Sequence, residues 1–138
     1  MVLVATNPNS ARAVAWSTIR EDILRDPLYP VHHIADRLLP YLRVLVEQFQ
    51  PQRVIVFGSY VYGNPDQGSD VDLLVVRNYN GSSLAEKLRI RKAWEPIHSR
   101  YGYLSIHLLL ETPARHRFRL QHSAGFYDEI NKRGLRLV

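Results

Sequence analysis

Apolar residues recur along the chain with two spacings, and each change of spacing marks a boundary between predicted elements. Apolar residues three and four positions apart indicate a helix, whereas short β-branched runs between turn residues indicate buried strands. The pattern predicts helices over residues 11–25, 31–49, 84–99 and about 124–133, and strands over residues 53–57, 70–77 and 103–110. A further helix is predicted after Thr112, and the last four residues are predicted to form an edge strand.

Proline and glycine positions refine these boundaries. Pro40 lies inside the second helical pattern and is predicted to kink or split it, because proline lacks an N–H and crowds the preceding turn. Pro96 is predicted to kink or shorten the next helix for the same reason. Thr112 is suited to cap the helix that begins at Pro113, and Gly134 is predicted to end the last helix.

The order of the predicted elements indicates the fold class. Helices, strand, turn, strand, helix, strand and helix follow one another, which favours an α+β fold with a small mixed β-sheet and helices packed on one side. The 138 residues suffice for one compact domain. We interpret residues 1–30 as an N-terminal helical extension and residues 31–138 as the domain itself.

The amino-acid composition limits the kinds of protein and of binding partner that are compatible with this sequence. The chain is 46% hydrophobic, has no cysteine and carries a formal net charge of +5. The absence of cysteine excludes disulfides, thiolate metal sites and cysteine nucleophiles, and it suits a reducing cytoplasm. No apolar run approaches the ~18–20 residues that cross a bilayer, and the N-terminus has no signal-peptide pattern, so no membrane association is expected.

The positive charge favours anionic partners such as nucleotides, nucleic acid or an acidic protein surface. The densest basic cluster comprises Arg115, His116, Arg117 and Arg119, interleaved with Phe118. Such a cluster is typical either of a solvated helix face or of a docking surface, and the sequence leaves both open. Net charge alone gives only weak support for direct nucleic-acid binding, which strong salt dependence would reveal.

The segment with the most specific chemistry runs from residue 54 to residue 74. Here a predicted strand ends in Gly58 and Ser59 and leads into a helical turn, which exposes backbone N–H groups. Those groups and the Ser59 hydroxyl form an anion site. Gly58 has no side chain and would let a phosphate approach the backbone closely.

Two carboxylates follow on the next predicted strand. Asp70 and Asp72 lie two positions apart, so strand alternation points both side chains to the same face. Two adjacent carboxylates repel each other, and a cation between them would relieve the repulsion. Hard oxygen ligands beside a phosphate site favour magnesium, which also binds substrate phosphates. Metal-assisted attack on a phosphoryl group is the chemistry that this arrangement predicts.

The spacing of these residues resembles a known signature. The motif F-G-S, then ten residues, then D-V-D at positions 70–72 resembles the signature of the DNA polymerase beta-like nucleotidyltransferase superfamily. The short chain resembles the minimal nucleotidyltransferase branch of that superfamily. The tail ETPARHRF…GFYDEINKRGLRLV is similar to the same branch, so the resemblance extends from about residue 41 to the end.

The resemblance implies a role for each motif residue. Gly58 and Ser59 would bind the triphosphate of ATP or another NTP. Ser69 would belong to the same nucleotide-binding site and would brace the loop before the aspartates. Asp70 and Asp72 would bind catalytic Mg²⁺, with Mn²⁺ as an alternative ion. The implied activity is transfer of a nucleoside monophosphate, AMP from ATP in the first instance, to an acceptor hydroxyl.

One position departs from the family pattern. Relatives place a third carboxylate on a later strand, and His107 occupies that position here. Strand alternation puts His107 on one face together with Tyr103, Ser105 and Leu109. Three interpretations stay open: a ligand for softer divalent metals, a general base, or a half-buried strand histidine in a site that lacks its third ligand. Glu111 shares the face but lies about 13 Å further along the strand, too far to substitute.

The resemblance also implies a partner. Minimal nucleotidyltransferases often accompany a helical HEPN-type protein, sometimes as the antitoxin of a toxin–antitoxin module, and that protein would supply the acceptor hydroxyl. A homo-oligomer is a further possibility. The second hypothesis is a catalytically impaired, nucleotide-binding interaction module that regulates its partner by binding.

Overall fold

The computed structural model describes residues 19–122 and 125–138, and within them helices alternate with the strands of a single sheet. The helices are Glu21–Leu24 (α1), Ala35–Val44 (α2), Ser59–Tyr62 (α3), Ser83–Tyr101 (α4), Pro113–His122 (α5) and Phe126–Arg133 (α6). A 3₁₀ segment, Pro30–Ile34, precedes α2, and a π-helical segment, Leu45–Phe49, continues it. The strands are Arg53–Phe57 (β1), Val71–Val76 (β2), Ile106–Glu111 (β3) and Leu135–Arg136 (β4). None of the helices in this part of the chain has the length and apolar character that a membrane crossing requires.

The strand boundaries follow the predicted pattern closely at β1 and β2 but not at β3. β1 has the predicted bounds, and β2 is one residue shorter than predicted at each end. β3 begins at Ile106 instead of the predicted Tyr103, and it ends at Glu111. The β2–β3 ladder begins with Val71 opposite Ile106, so residues 103–105 precede the first paired residue, although the Ser105 carbonyl accepts the Val71 N–H at 2.9 Å. The pairing register, rather than the apolar alternation, therefore sets the start of β3.

Both helices that contain an internal proline continue through it. The split predicted at Pro40 and the shortening predicted at Pro96 do not occur. Each proline removes one backbone hydrogen bond, but buried side chains on both sides of it hold the helix in place. These side chains are Leu39 and Tyr41 in α2, and Trp94 and Ile97 in α4.

The sheet is mixed, as predicted. Its strand order is β3-β2-β1-β4, with β1 antiparallel to both β2 and β4 and with β2 parallel to β3. A parallel pair needs a long crossover connection, and α4 provides it between β2 and β3. The predicted edge strand at the end of the chain is β4, which pairs with the middle of β1.

The expectation that helices cover one side of the sheet is wrong, because α6 packs on the other side. The larger core lies on the face that α2 and α4 cover, and it includes Val54, Val56, Leu73, Val75 and Leu108. The opposite face carries a second buried cluster, made of Ile55, Phe57, Leu74 and Val76 from the sheet and Tyr127 and Ile130 from α6. Residues 54–57 of β1 and 73–76 of β2 are all apolar, so both faces of this part of the sheet have to be buried.

The residues before α2 pack onto the domain. Ile19 and Leu24 belong to the larger core, and the Arg20 N–H donates to the Leu137 carbonyl at 2.7 Å. Of the helix predicted over residues 11–25, the described part forms Glu21–Leu24, and residues 11–18 lie outside the described residues. The domain boundary at residue 30 stays a prediction.

The basic cluster of α5 is divided between the interior and the surface. His116 is buried, and its Nδ1 atom is hydrogen-bonded to the Tyr127 hydroxyl. Arg115 and Arg119 form ion pairs with the buried carboxylate of Glu111, at 3.3 and 2.9 Å. Much of the cluster therefore holds α5 against β3 and α6 instead of forming a free docking surface.

The buried imidazole of His116 predicts a pH dependence of stability. Burial and the nearby Arg53 guanidinium lower the pKa of His116, against an opposing effect of Glu111. The unfolded chain therefore binds this proton at a higher pH than the folded chain, and the free energy of unfolding falls as the pH drops from about 7 through the depressed pKa. We expect His116→Gln to flatten this part of the profile, measured by urea unfolding at a series of pH values. Identical slopes for the wild type and the variant would contradict the assignment.

Candidate active site

Three strand ends meet at one edge of the sheet. β1 ends at Phe57, while β2 and β3 both begin at this edge. In the register, Phe57 lies opposite Asp72, and Asp72 lies beside His107. Residues that are far apart in the sequence are thus brought onto neighbouring strands on the face that α6 covers.

The two aspartates occupy the positions that strand alternation predicts. Val71 and Leu73 are fully buried in the larger core, which directs Asp72 to the opposite face. The Asp72 side chain is 23% exposed. Asp70 immediately precedes β2 and is exposed. Both carboxylates therefore remain accessible to a ligand in front of the strand ends.

Gly58 is required by the position of Asp72. Its φ of 76° and ψ of −151° are a conformation that side chains rarely adopt. A Cβ atom at this position would collide with the Oδ2 atom of Asp72. The Gly58 carbonyl accepts hydrogen bonds from the N–H groups of Val61 and Tyr62, at 3.0 and 3.1 Å, and so starts α3. The first N–H groups of a helix have no intrahelical acceptor, so that of Ser59 is available to a ligand.

His107 contacts one of the two aspartates, Asp72, on the face that alternation predicts. Its Nδ1 atom lies 3.0 Å from Oδ1 of Asp72, and 58% of its side chain is exposed. The exposed fraction is larger than expected for a half-buried strand histidine. A carboxylate can only accept a hydrogen bond, so the contact places the ring proton on Nδ1 and leaves Nε2 as an acceptor.

Ser105 is a site residue that the sequence analysis did not select. Its hydroxyl donates a hydrogen bond to Oδ1 of Asp70. The sequence does place Ser105 on the same predicted strand face as His107. Serine is so common in loops, however, that a shared face alone does not identify it as a site residue.

Ser69 stabilises the loop that leads into Asp70. Its Oγ accepts the Asp66 N–H at 2.9 Å, and its own N–H donates to the Asp66 carbonyl at 3.1 Å. The Gly68 N–H is bound by the Asp66 carboxylate at 2.9 Å. These bonds are those of a braced turn, while contact of Ser69 with a nucleotide stays a prediction.

A cavity of about 700 Å³, within the range of small-molecule sites, opens next to Ser69 and Ser105, and neither Asp70 nor Asp72 lines it. Tyr60, Ser69 and Ser105 line it on the side of the strand ends. His33 and Arg37 line it from the helical segment before β1, and no local pattern in the sequence marks them as site residues. The cavity is connected to the aspartates through Ser105, whose hydroxyl is bonded to Asp70.

Glu111 does not belong to this edge. It lies opposite Val76 at the far end of the β2–β3 ladder, and its buried carboxylate is paired with Arg115 and Arg119. The prediction that it cannot replace the third carboxylate is confirmed.

The side chains of the site can be compared with the ligands that a divalent cation requires. Among residues 19–122 and 125–138, no group of three or more His, Asp or Glu side chains is arranged to hold a metal ion. Asp70 and Asp72 remain as two carboxylates on the same side of the strand. They fit an ion such as Mg²⁺ that completes its shell with substrate phosphates and water, rather than one held by protein ligands alone.

Comparison with known proteins gives one match. A family model described as nucleotidyltransferase domain matches residues 40–123, which is more than half of the 138 residues. The matched segment contains all three strand ends of the candidate site and both aspartates. No curated protein and no solved structure matches the chain.

Proposed function

Because the chain belongs to the nucleotidyltransferase domain family, we propose that it transfers AMP from ATP, or the monophosphate of another NTP, to an acceptor hydroxyl. The observation that carries this proposal is the meeting of Gly58, Asp72 and His107 on three neighbouring strand ends. In the reaction, the acceptor oxygen forms a bond to the α-phosphorus of the nucleotide. The bond from that phosphorus to the bridging oxygen breaks, and pyrophosphate leaves.

Each residue of the site has a proposed task. Asp70 and Asp72 hold Mg²⁺ or Mn²⁺, which when bound neutralises phosphate charge and polarises the phosphoryl group. The backbone at Gly58 and the hydroxyl of Ser59 bind the β- and γ-phosphates. Ser69 keeps the loop before Asp70 in place. Catalysis in such a site is mostly positioning and charge stabilisation.

His107 is proposed to receive the proton of the acceptor hydroxyl on Nε2. Its Nδ1 atom faces Asp72, so Nε2 is the nitrogen that can meet a substrate. We expect His107→Gln to lower the transfer rate by about 10²-fold, the lower end of general-base effects, in a rate assay at saturating nucleotide. His107→Asp is the matched control, since it would restore a third carboxylate. If His107→Asp is more active than the wild type with Mg²⁺, the position is a missing metal ligand and not a base.

The acceptor is proposed to lie on a partner protein. The resemblance to minimal nucleotidyltransferases supports a helical HEPN-type partner, with this chain as the antitoxin of the pair. The reaction would take place in the cytoplasm, which the absence of cysteine supports.

A specific observation favours a second candidate function. His107 stands where relatives have the third carboxylate, and its contact with Oδ1 of Asp72 occupies one of the two oxygens of that side chain. A site with this contact suits a catalytically impaired module that binds a nucleotide and regulates its partner by association. Such a module would keep partner binding when Asp72 is changed, whereas the enzyme would lose its activity.

The deciding experiment follows label from α-labelled ATP, with Mg²⁺ or Mn²⁺, onto a co-expressed HEPN-type protein or onto lysate proteins. Label with the wild type that is absent with Asp72→Asn supports the enzyme and identifies its acceptor. Retained partner binding without label, under either metal, supports the interaction module.

A further inference from the structure

A second cavity, of about 230 Å³, lies on the α6 face of the sheet at the end opposite the candidate active site. Arg53, His116, Asn131 and Arg136 are among its lining residues. Arg53 is the first residue of β1, and Phe57 at the active-site end is the last. Four residues of strand separate the two ends by about 13 Å. The cavity is therefore a separate place on the molecule.

Two cations meet in this cavity. Arg136 lies opposite Ile55 in the ladder, and Arg53 is two positions before Ile55, so both side chains leave the same face as diagonal neighbours. Within the described ranges Arg53 makes no ion pair, and the segments outside them, residues 1–18 and 123–124, contain no Asp or Glu. Arg136 donates from Nε to a main-chain oxygen of Val138, the last residue of the sequence, at 3.1 Å. Like charges side by side are unfavourable, and within the described residues no Asp or Glu side chain pairs with either arginine.

The carboxylates of the neighbouring elements are already engaged. Glu111 of β3 is paired with two arginines of α5. On α6, Asp128 is paired with Lys132 at 3.0 Å, and Glu129 is 3.4 Å from the Arg133 guanidinium. An anion bound between Arg53 and Arg136 would therefore supply a counter-charge that no carboxylate side chain of these elements provides.

His116 adds a buried donor to the wall of the cavity. It is 6% exposed, and its Nδ1 atom is bonded to the Tyr127 hydroxyl. Burial raises the pKa of Tyr127 to about 12, so the phenol keeps a proton that it can donate to Nδ1. In the tautomer that accepts this proton at Nδ1, the ring hydrogen lies on Nε2, which makes no hydrogen bond within the described residues.

We propose that this cavity binds a small dianion of the phosphate type between Arg53 and Arg136, with the Nε2–H of His116 as a further donor. Guanidinium groups match the oxygens of phosphate with paired hydrogen bonds, and two fixed positive charges match two negative ones. The volume is below the ≈300–1,000 Å³ of sites for larger ligands, so it suits a phosphate-sized group and not a nucleoside triphosphate. The inference is independent of whether the chain transfers nucleotides.

The test is a titration of the isotopically labelled full chain with inorganic phosphate, followed by NMR at about pH 7.5. We expect saturable shifts of the Asn131, Gly134 and Arg136 amides and of the His116 ring. Arg53→Gln and Arg136→Gln should each weaken the apparent affinity by tenfold or more, as expected for loss of a charged hydrogen-bond donor. Arg53→Lys keeps the charge and should weaken binding less than Arg53→Gln, because an ammonium cannot pair with two oxygens at once.

Two controls separate this site from a general response to charge. Lys132→Gln removes one positive charge from the same face of the molecule, outside the cavity, and should leave phosphate affinity unchanged. Saturating ATP with Mg²⁺ should not displace the phosphate from these residues, whereas acetate, a monoanion, should bind at least tenfold more weakly. The proposal is overturned if phosphate causes no saturable shifts, if Lys132→Gln weakens binding as much as Arg53→Gln, or if ATP competes.

Discussion

Replacing Asp72 with asparagine is expected to lower nucleotidyl transfer by about 10³-fold or more while leaving the fold intact. The carboxylate lies between the Gly58 backbone and the His107 ring, and it is the proposed ligand of the catalytic cation. Asparagine keeps the shape but loses the charge, and removal of one preorganised electrostatic group costs about 10²–10³ in rate before loss of the metal is added. The rate is measured as label transfer from α-labelled ATP, and the fold by urea unfolding.

The matched control for this change is Asp128→Asn. Asp128 is also a carboxylate on the α6 side of the sheet, but it pairs with Lys132 and lies outside the site. It should keep full activity, with a stability change below about 1 kcal/mol, as expected for a surface pair. Equal transfer activity of wild type and Asp72→Asn would rule out the proposed role of Asp72 as a ligand of the catalytic cation.

Gly58→Ala is expected to lower activity by about 10²-fold or more and to destabilise the fold by about 1–3 kcal/mol. The stability cost follows from the strained backbone, since φ at Gly58 is 76°. The loss of activity follows from the collision of the new Cβ with the Asp72 carboxylate, because a displacement of about 1 Å can cost 10²-fold in rate. Nucleotide affinity, transfer rate and urea midpoint together measure both effects.

Gly102→Ala is the control that distinguishes the effect of backbone strain from the effect of a collision between the new Cβ and a side chain. Gly102 also has a positive φ, 90°, but a Cβ there would meet nothing within 4 Å. We therefore expect a comparable loss of stability at Gly102 with unchanged transfer activity. If the two alanine variants have the same activity, the contact between Gly58 and Asp72 does not position the carboxylate.

The parts of the fold that were predicted correctly are those set by local chemistry. The β-branched run of β1 lies between a proline-containing turn and Gly58, and its bounds came out as predicted. Strand parity likewise placed Asp72 and His107 on one face, which the register confirms. Periodicity and turn residues are properties of a few neighbouring residues, so they can be recognised without knowledge of the tertiary structure.

What could not be predicted depends on contacts between distant segments. That α6 covers the second face of the sheet follows from packing of Tyr127 and Ile130 on β1 and β2, which no local pattern specifies. Ser105 became a site residue only because pairing with β2 brings it to Asp70. Arg37 reaches the cavity from a helix that precedes the whole sheet.

The parallel pairing of β2 with β3 determines the order in which the sheet is assembled. Asp72 and His107 are neighbours although 35 positions separate them, and the intervening chain contains the whole of α4, so their strands meet only after a long loop has closed. We expect the antiparallel β1–β2 pair, joined by a much shorter connection, to form earlier. On this expectation the candidate site is completed at a late step of folding, and a chain with β3 detached exposes an unpaired strand edge. A ligand that binds only the completed site shifts the equilibrium between detached and paired β3 towards the paired sheet. Occupancy of the site is therefore expected to stabilise the folded chain.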